Sequence, residues 1–529
     1  MLFLIGSEDV RLEMATVLSE LVLSSEGNTK VAEVGGKTLV NMLQNGSSTG
    51  REAALRCLCQ LSTLESNGHI LAQAGILSPL IRDLYAVGMN QLSAKLKEIA
   101  ATTLANVVNS GIDLDNIPID SDGNTLLSES IIHNLLHLVS NTGPAIEAKL
   151  LQVLVGLASS KEDEAVNKVV MAIKSAGATI TLIQFLEVPQ KDLRANSVKL
   201  LYYLSANMGQ EIADGLRITT GQLGTLVKFI STSGVSEEQA AAAKLLANLP
   251  IHDAQLTRAL LEEGAIPAAV NKLEELKQGV VRIGASRFVG MYKEGLVGIL
   301  LRFTETYGNR DIVTSAREHN LTSFFTSLLN MSNLEEVQRI SALALANLSS
   351  HTKDLSVLPE IEDSSSLCFC LFKSPPKKVG LCVVHGGQCS AKQTFCLYEA
   401  GAIVPLVGCL DHGNASLVEA SLKALSTLLL EVENIEGGIK VLTDADAIQP
   451  ILDIMKEHKT EQLHQLVVLV VECMLRDEGI ARVISGNASV HTVLVEAFKH
   501  GNPLTKQTAE KALKHLNKIP NFSGVFKLK

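Results

Sequence analysis

Tryptophan is absent from this sequence and aromatic residues make up only 4% of it, whereas hydrophobic residues as a whole reach 46%. Leu, Ala, Val and Ile must therefore fill the core, which is the palette of packed helices. Positive charge is also in short supply: 46 Lys and Arg face 56 Asp and Glu, a net charge of −10 that opposes general attraction to phosphate backbones and argues against a nucleic-acid partner. No run of ~18 uncharged apolar residues occurs, so no membrane-spanning helix is expected. Met1–Ile5 is apolar, but Glu8, Asp9, Arg11 and Glu13 follow at once, without the basic leader or apolar core of a signal peptide. The cysteines, at 57, 59, 368, 370, 382, 389, 396, 409 and 473, are odd in number and form no even framework, which fits free thiols in a reducing cytosolic or nuclear setting. Catalytic signatures are missing as well: there is no Gly-rich phosphate loop, Gly-x-Ser-x-Gly elbow, His-Glu-x-x-His helix or kinase set. No catalytic residue and no cofactor is assigned.

What the sequence does contain is a repeat. A chain of 529 residues exceeds the ~250–300 at which a single core stops growing, unless it stacks repeated units. Residues 391–431 show the unit most clearly. Ala400-Gly401 ends a short helix, because Gly accepts the left-handed conformation there. Ala402-Ile403-Val404-Pro405-Leu406 starts a second helix, with Pro405 in its first turn, where amide donors are unpaired in any case. Asp411-His412-Gly413-Asn414 makes a turn, and Leu417–Leu430 is a long helix apolar most of the way round, as one sandwiched between neighbours must be. The same Gly junction is read at Gly36, Gly75, Gly177 and Gly264. The closing anchors of the long helices fall at Leu61, Val107, Leu157, Leu204, Leu249, Phe303, Leu348, Leu428 and Leu516, with first steps of 46, 50, 47, 45, 54 and 45 residues. Such steps exceed the ~33–34 of tetratricopeptide and ankyrin repeats and match the ~40–47 of armadillo and HEAT repeats. The expected fold is all-α: a right-handed superhelical solenoid of about ten armadillo-type repeats. It divides into an N-terminal repeat stretch 1–352, an irregular insertion 353–390 with Ser364-Ser365-Ser366 and Pro375-Pro376, and C-terminal repeats with a basic tail over 391–529.

Three sets of residues are candidates for function. The positions just before the closing anchors would face the inner groove, and among them Asn106, Tyr203, Asn248, Arg302 and Asn347 are candidates to hold a protein substrate or regulator. An asparagine amide donates and accepts at once and so can grip an extended peptide by its backbone; alternatively these amides bond within the protein itself. The importin-type groove pairs such asparagines with tryptophans, so the absence of Trp argues against a nuclear-import receptor. Cys368, Cys370, Cys382, His385 and Cys389, with Cys396 beside them, crowd the insertion, and thiolate and imidazole at short spacing suit zinc. No Cys-x2-Cys knuckle is present, however, and the expected role is packing as small hydrophobes, with no metal site assigned. Residues 110–125, rich in Asp, are read as a solvated loop and not a calcium loop, since the glycine and closing Glu of that pattern do not fit. At the C-terminus Lys511, Lys514 and Lys518 share a helical face, followed by Phe522 and Phe526, so this end either touches an anionic membrane or folds back to cap the solenoid.

The C-terminal run Ala512-Leu513-Lys514-His515-Leu516-Asn517-Lys518-Ile519-Pro520-Asn521-Phe522-Ser523-Gly524-Val525-Phe526 resembles the ending of a group of plant U-box ubiquitin ligases. Val384-His385-Gly386, Cys389-Ser390, Thr394-Phe395-Cys396-Leu397 and Val404-Pro405-Leu406 are similar to their armadillo tail, and the senescence-associated branch is the nearest in pattern. The resemblance implies a U-box that recruits a ubiquitin-conjugating enzyme, with armadillo repeats that choose the substrate and tether the ligase at the plasma membrane. No ~70-residue U-box precedes the repeats in this sequence, and the apolar Leu2, Phe3, Leu4 and Ile5 would leave a terminal repeat without a polar cap. The expectation is a substrate-recognition and localisation scaffold, cytoplasmic or peripheral at the plasma membrane. The alternative is a non-ligase adaptor in signalling or a truncated competitor of the full ligase.

Overall fold

The computed structural model describes residues 5–88, 91–278, 286–305, 309–331, 333–356, 381–430, 435–457 and 460–519. Helices account for the regular structure, and no β-strand is found among the described residues. Two compact units, Met1–Glu263 and Gly264–Lys529, divide the chain inside the stretch 1–352 that the sequence presented as continuous. Most of the insertion 353–390, including Cys368 and Cys370, lies outside the described residues. No single helix among them is long and apolar enough to cross a membrane.

The first repeat of the chain carries the 21-residue helix Ser25–Asn45, and in each unit the stacked repeats end in long closing helices. In the first unit these are Ser48–Ser62, Ala94–Val108, Pro144–Ala158, the first half of Lys191–Ile218, and Glu237–Asn248. In the second they are Ser286–Glu305, Glu335–Ser349, Ala415–Ser426, Glu461–Met474 and Pro503–Leu516. Within a unit, successive long helices pack side by side. All nine anchors read from the sequence are at most 2% exposed, from Leu61 through Phe303 to Leu516. Burying an aliphatic side chain of that size contributes ~1.5–3 kcal/mol, so this recurring anchor is what makes each repeat cohere with its neighbours.

The glycine junctions are mostly as expected. Gly75, Gly177, Gly264 and Gly401 hold φ of 86°, 63°, 75° and 64°, the left-handed region that a side chain resists. Gly36 is different: it lies inside the continuous helix Ser25–Asn45, where a Cβ would sit 3.8 Å from Ala74 and Leu71, so it serves close packing and breaks nothing. Two further junctions are made by other residues, Asn320 at φ 46° and Asp446 at φ 55°, each just before the second helix of its repeat. Their short polar side chains tolerate the left-handed region better than other non-glycine residues do. Between Asn45 and Ser48 the helices are separated only by a brief break, and at Met208 (φ −127°, ψ 17°) the helix Lys191–Ile218 is kinked.

Candidate functional site

The long helices carry a ladder of side-chain hydrogen bonds between adjacent repeats. Asn106 donates its Nδ2 to Ser62 Oγ at 3.0 Å, and Asn248 donates to Ser205 Oγ at 3.0 Å, both in the first unit. In the second unit Asn347 donates to Thr304 Oγ1 at 3.0 Å and to Glu305 Oε1 at 2.9 Å. Thr427 and Ser349 continue the pattern, hydroxyl to hydroxyl at 2.8 Å. The direction of the asparagine rungs follows from proton counting. Ser62, Ser205 and Thr304 each spend their one hydroxyl proton on a carbonyl three residues back, at 2.8, 2.6 and 2.7 Å, so their oxygens must accept. The amide nitrogens are thereby turned inward, and the amide oxygens of Asn106 and Asn248 have no partner among the described residues. One amide thus both braces its repeat and offers an acceptor. Where the equivalent residue is Gly156, a Cβ would lie 2.7 Å from Val108 Cγ1, and Asn109 braces instead by donating to the Gln152 carbonyl at 3.3 Å.

The other groove candidates divide. Tyr203 is half-buried, its ring 5.0 Å from that of Tyr202, and burial pushes its phenol above the ordinary value. Arg302 is 1% exposed and among the largest fully buried side chains, which corrects its expected place on a ligand-facing surface. The Phe303 anchor beside it is also 1% exposed, so both positions point into the packing at this repeat. In the first unit an open groove of about 970 Å³ runs beside Glu8–Glu20 and Ser48–Ser62, lined by Val17, Glu20, Glu52, Arg56 and Gln60 among others. Gln60, at the position before the Leu61 anchor, donates to the Leu21 carbonyl across it.

At the last helix, Pro503–Leu516, Lys511 and Lys514 are exposed, as is Lys518 just beyond it; Lys514 pairs with Glu510 at 2.7 Å. Phe522 and Phe526 lie outside the described residues. In the acidic loop, Asp113 and Asp120 accept backbone N–H groups from Asp115, and from Asp122 and Asn124, at 2.9–3.0 Å. Asp115 binds Lys168 at 2.8 Å. These carboxylates shape turns and pair with a lysine.

The cysteines separate into two kinds. Burial pushes the Cys57 thiol up to about 12 and that of Cys473 up to about 11, as expected of inert packing groups. Cys382, His385, Cys389 and Cys396 instead converge, with one ligand atom from each lying within 4.8 Å of the others. His385 Nδ1 is 3.5 Å from the sulfurs of Cys382 and Cys389 and 3.6 Å from that of Cys396, and the Cys382 and Cys396 sulfurs are 3.8 Å apart. Hydrogen bonds from Cys382 and Cys396 hold the Cys389 thiol well below its ordinary value, and the same contacts hold Cys396 well above it. Burial opposes protonation of His385, but its bonds to Cys382 and Cys389 outweigh that and bring it to about 9. Cys382, His385 and Cys389 are among the zinc candidates of the sequence, and the fold adds Cys396 to them although no Cys-x2-Cys pair is present. The first half of the motif is Cys382-x2-His385.

No family model matches the chain. An engineered protein of known structure is similar with a TM-score of 0.61 and 17% identity, covering 91% of this chain and 99% of that one. A structure from work on a phosphorylation switch controlling the interaction between cadherin and beta-catenin is similar with a TM-score of 0.63 and 13% identity, covering 96% and 94%. These likenesses show the fold, an all-helical solenoid of armadillo type. U-box domain-containing protein 44 of Arabidopsis thaliana is 45% identical over 527 residues, 98% of this chain and 64% of that protein. U-box domain-containing protein 24 of Oryza sativa subsp. japonica is 44% identical over 549 residues, 99% of this chain and 66% of that protein. The chain therefore spans a little under two thirds of the length of these relatives, and across nearly all of its own length it is a homologue of the plant U-box domain-containing proteins.

Proposed function

We propose that the chain is a partner-binding scaffold of plant ubiquitin ligation, in which the face formed by the long helices selects a protein substrate or regulator. The observation that supports it most is the asparagine ladder on a chain homologous to U-box proteins: amide nitrogens committed inward leave oxygens able to accept backbone N–H groups of an extended segment. Tyr203, between the rungs at Asn106 and Asn248, offers an aromatic surface of the kind that anchors interfaces. A ubiquitin-conjugating enzyme enters this reading only through a U-box, and the cytoplasmic or plasma-membrane setting belongs to the same proposal.

The experiment is a binding comparison. A partner selected by interaction with the wild-type chain is titrated against Tyr203→Ala and against a substitution at an exposed residue outside the long helices, Met171→Ala in Asp163–Ser175. A loss of tenfold or more for Tyr203→Ala alone, at unchanged melting temperature, supports the groove. Equal affinities for all three proteins would end it.

A further inference from the structure

We propose that Cys382, His385, Cys389 and Cys396 bind one zinc ion in a closed structural site that fastens the residues after the insertion to the repeat stack. A tetrahedral zinc with Zn–S of ~2.3 Å and Zn–N of ~2.0–2.1 Å sets its sulfurs ~3.8 Å apart and each sulfur ~3.6 Å from the nitrogen. The measured edges are 3.8 Å for Cys382 to Cys396, and 3.5, 3.5 and 3.6 Å from His385 Nδ1 to Cys382, Cys389 and Cys396. Four edges of one tetrahedron are thus already at ligand spacing.

Chemistry selects the ion. Three thiolates and an imidazole are soft or borderline donors, which suit zinc and exclude the oxygen-seeking calcium and magnesium. A disulfide would require sulfurs ~2.0 Å apart and would give the imidazole no reason to meet all three. With all four positions filled by protein, no place remains for water or substrate, so the site is structural.

The backbone is built around the cluster. Gly386 holds φ 67° directly after His385 and donates its N–H to the Cys382 carbonyl at 2.9 Å, while the Cys382 N–H reaches the Gly387 carbonyl at 2.8 Å. This turn brings a Cys and a His three residues apart onto one point. Phe395, at φ 58°, accepts that unusual conformation immediately before Cys396. Ser390 caps the second turn, taking N–H bonds from Thr394 and Cys396 on its carbonyl at 3.2 and 3.4 Å. Ser356 Oγ lies 3.4 Å from Cys389 Sγ, a hydroxyl partner to a ligand sulfur of the sort that orients metal sites.

The location explains the need. At the place of its first helix the repeat that ends in Ala415–Ser426 has, among its described residues, only the four-residue Thr352–Leu355, and 381–402 adds no helix. The preceding repeat supplies Arg310–Glu318 at that place. Instead the Cys/His turn is docked on its surroundings. Thr352 donates to the Phe395 carbonyl at 3.3 Å, Arg317 Nε to the Gln393 carbonyl at 2.9 Å, and a Cβ on Gly437 would lie 2.0 Å from the Val383 carbonyl. A metal here does for one repeat what a buried helix does for the others.

The test uses the full chain, purified reduced and without a metal-binding tag from zinc-supplemented cells. Elemental analysis should return ~1 zinc per chain. The chain stripped by chelator should take zinc back with an affinity on the order of nanomolar or tighter in competition with a chromophoric chelator. Cobalt in its place should give the absorption of a tetrahedral thiolate complex. The double variant Cys382→Ser/Cys396→Ser should lose stoichiometric zinc, whereas Cys409→Ser should keep it. Should the double variant fail to fold, the wild-type titration and cobalt spectrum still decide. Zinc content below ~0.1 per chain together with no uptake by the reduced protein would overturn the proposal. So would zinc retained by the double variant, or a Cys382–Cys396 disulfide in the isolated protein.

Discussion

Replacing Asn248 by Ala removes one rung of the ladder, and the two sides of that rung are unequal. Asn248 is exposed, whereas Ser205 is 2% exposed and has already given its proton to the Tyr202 carbonyl. Losing the amide removes the donor to a buried hydroxyl oxygen, whose own bond to the Tyr202 carbonyl remains. Losing the hydroxyl leaves an exposed amide that water satisfies. A net hydrogen bond contributes ~0.5–1.5 kcal/mol, and a buried oxygen left without its donor costs toward the upper end, so Asn248→Ala should cost ~1–1.5 kcal/mol and Ser205→Ala less. The double variant should be closer to Ser205→Ala than to the sum, with a coupling of ~0.5–1 kcal/mol. Urea titration followed by far-ultraviolet dichroism reads this, because no Trp is available for fluorescence. With a slope of ~1–3 kcal/mol/M, the midpoint for Asn248→Ala should fall by ~0.3–1.5 M. Asn347→Ala should lose at least as much, because it also releases Glu305. Unchanged midpoints for both variants would refute the bracing role, and the amides would then belong wholly to a ligand.

Two glycines should respond in opposite directions to the same change. Gly401→Ala, at φ 64° with open space around the new Cβ, should destabilise by ~1–2 kcal/mol through strain alone, while Gly36→Ala, helical and with room at 3.8 Å, should stabilise by ~0.5–1 kcal/mol, both read by urea titration. At the C-terminal end, sedimentation with phosphatidylserine vesicles should carry down the chain at low salt and release it at high salt. Changing Lys511, Lys514 and Lys518 together to Glu should abolish this, since each lysine near an anionic surface contributes ~1 kcal/mol; equal binding by the variant removes the membrane from the account.

Much of the fold was legible because a stacked repeat writes the same constraint many times. The nine anchors could be read one by one, since each must fill the same hole between neighbouring repeats, and each is buried. The junctions were less legible, because left-handed backbone is a conformation and not a residue. Gly36 mimicked it from within a helix, while Asn320 and Asp446 adopted it without glycine. Arg302 shared the register of the asparagines, but register fixes the angle around a helix and not the depth of what packs over it. The ladder partners Ser62, Ser205 and Thr304 stood two residues after each candidate's equivalent in the preceding repeat, a signal visible in Gln60-Leu61-Ser62, Tyr203-Leu204-Ser205 and Arg302-Phe303-Thr304 but unread as a bond. The Cys/His cluster was half legible for a similar reason: spacing gave Cys382-x2-His385, but only the fold of Ser390 to Phe395 returns Cys396 to it.

Reconstituted transfer measures directly whether the face of the long helices chooses what is ubiquitinated, as proposed. A U-box joined ahead of this chain is incubated with activating and conjugating enzymes, ubiquitin, ATP and a partner that binds the chain. The account predicts that Tyr203→Ala lowers modification of the partner at least tenfold while self-modification is unchanged. Partner modification that is equally fast with the substituted chain, or with the repeats removed, would contradict it.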